Sequence, residues 1–214
     1  MLAASAFAAA LAPEVVLTRY VQAIAGAGAP LAYTCEYNLV DRGTHPEEST
    51  HRIFRQGGHE RDEIIGFNGE SLSHPEVRIF KRRVDPYAVD ELAPKPEAYA
   101  FTYVGEAHHG RSTEYVFNAF AKGTPRYEVT QLAIDGASFL PLRIAFRTHL
   151  GSVEGSGEVT YRKTERYWMP QTASARAEVN GNLETERIVW YGYQFFDNLP
   201  DSTFAAPSGV PAQD

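Results

Sequence analysis

The feature that most constrains this chain is an alternation of apolar and polar residues, which recurs in short segments between residues 31 and 196. In residues 142–147, for example, leucine, isoleucine and phenylalanine alternate with arginine, alanine and arginine. Because successive side chains of a strand point to opposite faces, this period of two predicts strands with one dry and one wet face. Such strands are typical of antiparallel sheets.

Turn residues separate the alternating segments at regular intervals. Gly, Asn and Asp tolerate the positive φ angles of hairpin turns, and they occur at Asp41-Arg42-Gly43, Gln56-Gly57-Gly58, Phe67-Asn68-Gly69, His109-Gly110, Asp135-Gly136 and Asn180-Gly181-Asn182. The pattern predicts an antiparallel meander of roughly ten strands. No linker rich in Pro, Ser or Gly interrupts it, so the 214 residues predict a single β domain over residues 13–214.

Two segments predict covering elements for the sheet. Pro13 suits a first helical position, Val16, Tyr20 and Ile24 recur at helical spacing, and Gly26 supplies a stop. Residues 84–96 contain three prolines, which limit any helix there to one or two turns. The sequence therefore predicts one amphipathic helix and a loop with a short helical piece.

Residues 1–12 are apolar and rich in alanine, with Ala-x-Ala patterns that suit signal peptidase. We interpret them as a signal peptide or its remnant, and the alternative is a disordered or helical Ala-rich start. A segment of this length cannot span a bilayer, which needs roughly 20 apolar residues. The prediction is an exported, soluble, unanchored protein.

Charge and cysteine content narrow the possible functions. The net charge is -7, and no basic stripe is visible, so nucleic-acid binding is not expected. The lone Cys35 excludes an internal disulfide, and alternation places it on the apolar face of its strand as a small hydrophobe.

The sheet carries more apolar surface than its helix can cover. A helix of about twelve residues is only about 18 Å long, whereas residues 188–196 are apolar on nearly all positions. Such a sheet must close on itself, dimerise, or curl around a helix and leave an apolar pocket.

An apolar pocket suits a lipid, since each buried acyl methylene contributes roughly 0.8 kcal/mol. The candidate lipid-binding wall consists of the expected inward residues of the clearest strands. These are Tyr37, Phe54, Phe101, Tyr103, Phe117, Val129, Ile144, Phe146 and Tyr193. A shift of one residue would move any of these sets to the wet face.

No group of residues predicts catalysis, a metal or a cofactor. Adjacent His108 and His109 point to opposite faces if extended, and alternation separates Glu60 from Glu63 across the sheet. Gly155-Ser156-Gly157 lacks the strand, elbow and helix context of a hydrolase serine, and we interpret it as a turn. The expectation is a protein that is not an enzyme.

Three further features leave alternatives open. The basic segment Arg78–Arg83 suits an anionic head group or a membrane surface, with Ile79 and Phe80 pointing inward, or it is a solvated edge that discourages aggregation. Trp168 and Trp190 are core residues or, if the interior is hollow, part of its wall.

Several short sequence segments resemble those of the LolA/LolB-type lipoprotein-carrier superfamily. The ending Ser202–Pro211 has a Phe followed by Pro and Gly-Val, Asp62–Leu72 is similar to the family's strand, turn, strand step, and Asp135-Gly136 followed by Leu140–Ile144 is similar to its later hairpin. The family's Arg-Pro step, which helps to control the lid, has no counterpart, because Arg52 and Arg55 lack the proline.

The resemblance implies a mainly β fold: a large curved antiparallel sheet, an incomplete β-barrel, wrapped around the N-terminal helix and the short loop and helix segment. It also implies an interior that takes up acyl chains in the periplasm. The expected function is a non-catalytic carrier of a lipid or lipoprotein acyl chain, monomeric, with an inner- or outer-membrane protein as donor or acceptor. The alternative is an envelope sensor or protein-interaction module with the same fold.

Overall fold

The computed structural model describes residues 11–109, 112–150 and 153–205. These residues form one sheet of eleven antiparallel strands with few helices, which confirms the predicted mainly β class. The elements are α1 (Pro13–Gly26), β1 (Ala32–Arg42), β2 (Glu47–Gln56), β3 (His59–Phe67), β4 (Glu70–Phe80), α2 (Val89–Leu92), β5 (Tyr99–His109), β6 (Ser112–Ala121), β7 (Tyr127–Asp135), β8 (Pro141–Leu150), β9 (Val153–Thr164), β10 (Tyr167–Val179), β11 (Asn182–Phe196) and a 3-10 turn (Asp201–Phe204).

The sheet is an open barrel. Its strand order is β4-β3-β2-β1-β11-β10-β9-β8-β7-β6-β5, so β1 pairs with β11 while β4 and β5 are the two edges. The residues between the edge strands, which include α2, connect β4 to β5. The predicted incomplete barrel is therefore confirmed, and its concave face is the one that holds α1.

Helix α1 begins and ends at the residues that the sequence predicts. Pro13 occupies the start of the helix, and Gly26 is its last residue. Val16 and Tyr20 are buried against the sheet. The Tyr20 hydroxyl donates to the Pro94 carbonyl at 2.9 Å, which ties α1 to the segment that carries α2.

The chain's own side chains fill one half of the interior. Residues of β6–β9 pack there against α1 and α2, and Phe117, Leu132, Ile144 and Val159 are at most 1% exposed. This half has the close packing of an ordinary protein core. The predicted short helix is confirmed as α2, whose Val89 and Leu92 are buried in the same cluster.

The expected turns within the described residues occupy turns in the structure, with one exception, and Gly110 of the expected His109-Gly110 turn lies outside the described residues. Gly57, Asn68-Gly69 and Asn180-Gly181 all have positive φ between paired strands. The interpretation of Gly155-Ser156-Gly157 as a turn is wrong, because these residues lie within β9. Gly157 is needed there for a close approach: a Cβ would lie 2.6 Å from the Ser174 carbonyl oxygen and 2.6 Å from the Phe146 ring.

Residues 1–10 of the expected signal peptide lie outside the described residues. Leu11, from the end of that stretch, packs against the core. Cys35 is buried on the concave face, as alternation predicts. Within the described ranges, no helix has the length and hydrophobicity that crossing a bilayer requires.

Candidate ligand cavity and the polar interior beside it

A cavity of about 480 Å³ opens at one end of the barrel, between α1, the segment before and within α2, and the start of β10. Its apolar wall comes from Ile24, Leu31, Val84, Val89, Trp168 and Met169. Local sequence explains the opening, since the small residues of the α1–β1 loop, 27–30, leave room that larger side chains would fill.

An aromatic cluster continues the cavity wall along β1, β10 and β11. It contains Tyr33, Tyr167, Met169, Tyr193 and Phe195, of which Tyr33 and Met169 also line the cavity. The Tyr167 and Phe195 rings lie 4.6 Å apart, centre to centre. The Tyr193 hydroxyl donates to the Pro170 carbonyl at 2.9 Å, so its ring orientation is fixed.

A charged network forms the base of the cavity. Arg55 donates to Glu60 and lies 3.2 Å from an Asp85 oxygen, and Arg83 lies 3.2 Å from the other Glu60 oxygen. The Tyr33 hydroxyl donates to Asp85 at 3.4 Å. Burial, with the nearby Asp85 charge, raises the pKa of Tyr33, so its hydroxyl remains a donor at neutral pH.

A second polar group is buried further along the same strands. The Asp62 carboxylate accepts from His51 Nδ1 at 2.8 Å, and His51 Nε2 lies 2.9 Å from Ser49 Oγ. The Tyr37 ring stacks on the His51 ring at 4.4 Å. With Nδ1 as donor, Nε2 accepts from the serine hydroxyl, so every member of the group is satisfied.

The atoms of this group follow the order of a serine hydrolase triad. Two further requirements of such a site are not met among the described residues. Ser49 is only 2% exposed, and it does not line the 480 Å³ cavity. Ser49 also lies inside a strand paired on both sides, whose amides are used by the sheet rather than free to stabilise an oxyanion. The group therefore acts as a hydrogen-bonded polar core.

The residues of this polar interior were not predicted as interior residues from the sequence. Ser49, His51 and Arg55 alternate along β2, as do Glu60 and Asp62 along β3, and such a pattern is typical of a wet face. The signal that was available is complementary pairing: a two-residue Gly57-Gly58 turn places Arg55 opposite Glu60. Opposite charges at paired positions indicate that both can be buried together.

The structure places eight of the nine predicted wall residues on the concave face. Phe54 is the exception, because it shares a row with Thr34 and Arg61 on the convex face. Phe117, Val129, Ile144 and Phe146 are at most 2% exposed, within the packed half. The other four predicted wall residues on the concave face are Tyr37, Phe101, Tyr103 and Tyr193.

None of the nine lines the 480 Å³ cavity. Alternation identified the correct face on most strands, but it carries no information about which part of that face the helices cover. Trp168, by contrast, lines the cavity. Trp190 packs against both the packed half of the interior and the aromatic cluster.

The acidic residues Glu60 and Glu63 and the histidine His108 lie in different environments in the structure. Glu60 faces the interior and Glu63 the convex side, as alternation predicts. His108 lies near Glu106 and Thr113 in an exposed hairpin. Across residues 11–109, 112–150 and 153–205, no group of three or more His, Cys, Asp or Glu could hold a metal ion.

The basic segment divides between the two faces. Arg78 lies opposite Asp62 on the concave side, and Phe80 lies opposite Glu60. Ile79 is opposite Arg61 on the convex side, so the expectation that Ile79 points inward is wrong. The Arg83 guanidinium stacks over the Phe80 ring at 4.3 Å and lines the cavity.

Comparisons with known proteins place the fold. No family model matches the sequence, and no curated protein matches it. Among solved structures, a Vibrio parahaemolyticus domain described as an outer membrane lipoprotein-sorting protein domain aligns at a TM-score of 0.50 and 13% identity, over 89% of this chain and 96% of that one. A LolA superfamily protein from Nitrosomonas europaea gives 0.49 and 11%, over 92% and 99%.

A DUF1329 family protein from Desulfovibrio piger gives a TM-score of 0.48 at 11% identity, over 90% of this chain and 96% of that one. At these identities the likeness concerns the fold and not the function. The fold of this chain is the open barrel around helices that the resemblance of its sequence segments implies.

Proposed function

From the premise that this chain has a LolA-like fold, we propose that it binds a lipid, or the acyl chain of a lipidated protein, without catalysis. The observation that carries the proposal is the cavity of about 480 Å³ with its apolar wall. Ligand cavities typically measure roughly 300–1,000 Å³, with mostly apolar walls and a few polar groups. The charged base around Arg55 and Asp85 supplies those polar groups.

The energy of binding comes from apolar burial. Each acyl methylene that leaves water contributes roughly 0.8 kcal/mol. The aromatic cluster beside the cavity offers further apolar surface to a chain that extends past Tyr33 and Met169. Such a site selects ligands by length and width more than by detailed shape.

A longer ligand would require the segment that carries α2 to move outward. The contacts that hold that segment against the barrel include the ion pair of Asp85 with Arg55 and the hydrogen bond from Tyr20 to Pro94. Because the segment joins two sheet edges that do not pair with each other, it can move without breaking the strand ladder.

The proposed setting is the periplasm, where a soluble monomer would take its ligand from one membrane protein and deliver it to another. The apolar, Ala-rich start of the sequence supports export. The structural neighbour from Vibrio parahaemolyticus is described as a lipoprotein-sorting domain, which is consistent with an acylated ligand.

Replacing Ala29 with tryptophan tests the cavity. Ala29 is exposed in the α1–β1 loop and lines the cavity, so an indole there should occupy space that the ligand needs. Excluding two or three methylenes removes about 2 kcal/mol, which predicts a loss of affinity of about 30-fold. Displacement of a fluorescent fatty acid measures it, after organic extraction and mass spectrometry of the purified protein.

The matched control is Ala137→Trp, which adds the same side chain at an exposed turn position away from the cavity. It should bind like the unaltered protein. Equal affinities for all three proteins would move the ligand elsewhere. A purified protein that yields no lipid and binds no fluorescent fatty acid would contradict the proposal as a whole.

A second candidate function is an interaction module. Val104 and Phe120 are each 55% exposed on the edge strand β5 and its neighbour β6. Exposed apolar groups beside an open sheet edge are features of protein-docking surfaces. Size-exclusion chromatography and pull-down from envelope extracts distinguish the two functions, because a carrier remains monomeric and loaded while a module retains a protein.

A further inference from the structure

The convex face carries a shallow groove of about 640 Å³ that the proposed carrier function does not use. It crosses β1, β11, β10, β9 and β8 and reaches Thr130 of β7, and four arginines line it: Arg42, Arg147, Arg176 and Arg187. All four are exposed. We call these residues the arginine groove.

Strand register brings the four guanidinium groups together. Arg42 pairs with Thr185, and Thr185 pairs with Arg176. Arg176 pairs in turn with Ser156, and Ser156 with Arg147. Neighbouring strands lie about 4.8 Å apart, so successive arginines of this row are roughly 10 Å apart.

Arg187 extends the groove by one step along β11. It pairs with Ser174 and Val40, one alternation from the Thr185 row. The sequence shows none of this, because the four arginines are spread over residues 42–187 and no basic run marks them.

The four charges are not neutralised by the protein. Among the described residues, no carboxylate lies within 4.0 Å of any of them. Arg176 donates to Ser156 Oγ at 3.2 Å, and Arg42 donates to the Asp41 carbonyl at 3.0 Å, but both partners are uncharged groups. Four unpaired cations in a chain of net charge -7 form a local positive potential.

Several carboxylates surround the groove without forming an ion pair with its arginines. Glu48 lies opposite Val40 on the neighbouring strand, and Glu128 lies opposite Arg147. Glu158 lies in the groove but forms an ion pair with Arg143 at 3.2 Å. Glu186 faces the interior, where burial and Asp41 raise its pKa. Glu154 lies beyond the groove, 3.8 Å from His149, and Glu178 is exposed beside Arg176.

The other groups in the groove decide which anion it fits. They are the hydroxyls of Thr130, Ser156, Ser174 and Thr185, with small aliphatic side chains such as Val40 and Ala145. Guanidinium groups with hydroxyls are the donors that phosphate oxygens accept from. The aromatic anchors of protein interfaces are absent from the groove's exposed floor, since its single ring, Phe146, is buried on the other face.

We propose that the arginine groove docks the protein onto a bilayer surface through the phosphates of anionic phospholipids. Each arginine near an anionic membrane contributes about 1 kcal/mol, or roughly a fivefold increase in partitioning. The attraction is electrostatic and extends over about one Debye length, so added salt weakens it.

The test is co-sedimentation of the full chain with phosphatidylcholine vesicles that contain or lack phosphatidylglycerol. The unaltered protein should partition onto the phosphatidylglycerol vesicles and be released by salt. The triple variant Arg147→Ser, Arg176→Ser and Arg187→Ser should partition about 100-fold more weakly. Lysine at the same three positions keeps the charge and should retain most of the partitioning.

The charge-matched control replaces three exposed basic residues elsewhere, Arg19, Arg126 and Arg162, with serine. It should partition nearly as well as the unaltered protein. Equal losses in both serine triples would show a general charge effect and overturn the proposal. So would partitioning that does not depend on phosphatidylglycerol, or binding of an acidic polypeptide with no binding to vesicles. Fatty-acid binding is measured separately, so neither result affects the other.

Discussion

Replacing His51 with leucine should lower the free energy of unfolding by about 3–5 kcal/mol. Among the described residues, His51 is the only side chain that forms a hydrogen bond with the Asp62 carboxylate, at 2.8 Å. Asp62 is 3% exposed. Without the imidazole, a buried carboxylate and the Ser49 hydroxyl both lose their partner. Urea unfolding, followed by tryptophan fluorescence, measures the change.

The triple variant Ser49→Ala, His51→Leu and Asp62→Leu makes this prediction specific. It removes all three polar groups together, so none remains buried without a partner. The triple variant should therefore lose less stability, relative to the unaltered protein, than the single variant His51→Leu loses. His45→Leu is the control for an exposed histidine and should change stability by less than about 0.5 kcal/mol. A single variant as stable as the control would show that Asp62 does not depend on His51.

Replacing Tyr20 with alanine should cost about 3–5 kcal/mol, the range for buried aromatic side chains. Tyr20 is 1% exposed between α1 and the sheet, and its hydroxyl holds Pro94 in the segment that carries α2. Tyr20→Phe keeps the ring and removes only the hydrogen bond, at a cost of about 1 kcal/mol. Thermal or urea unfolding of both variants measures the two contributions.

The same pair of variants tests whether the segment controls access to the interior. If the Tyr20 hydrogen bond holds it closed, Tyr20→Phe should increase the association rate of a long-chain fluorescent fatty acid by about fivefold, as expected for the loss of about 1 kcal/mol from the closed state. Thr18→Val, on the exposed face of α1, should leave the rate unchanged. An unchanged rate in Tyr20→Phe would mean that ligands reach the cavity without movement of this segment.

Local signals in the sequence predicted much of the fold. The bounds of α1 followed from Pro13, Gly26 and the helical spacing between them, because each acts through the backbone of its own segment. Turns such as Asn68-Gly69 followed from the same kind of local preference for positive φ. The excess of apolar sheet surface over what one helix can cover was predictable from composition and the number of strands. The open barrel itself was predicted from the resemblance of short segments to a known family.

The candidate site was less predictable. Alternation predicts Phe54 in the interior, whereas Ile53 and the polar residues His51 and Arg55 face inward in the structure. A buried charge costs little only when its partner is placed opposite, and that partner can lie on any neighbouring strand. The arginine groove was not predictable for the same reason, because its arginines come together only through the register of five strands.

The sequence by itself determined the antiparallel sheet, the helix that it surrounds and the surplus of apolar surface, because each depends on the period and identity of adjacent residues. The tertiary structure alone decided where that surplus is filled by Phe117 and its neighbours and where a cavity remains beside Tyr33. It also decided which polar residues are buried in pairs and which arginines converge. These outcomes depend on contacts between residues far apart in the chain, and local periodicity does not encode such distances.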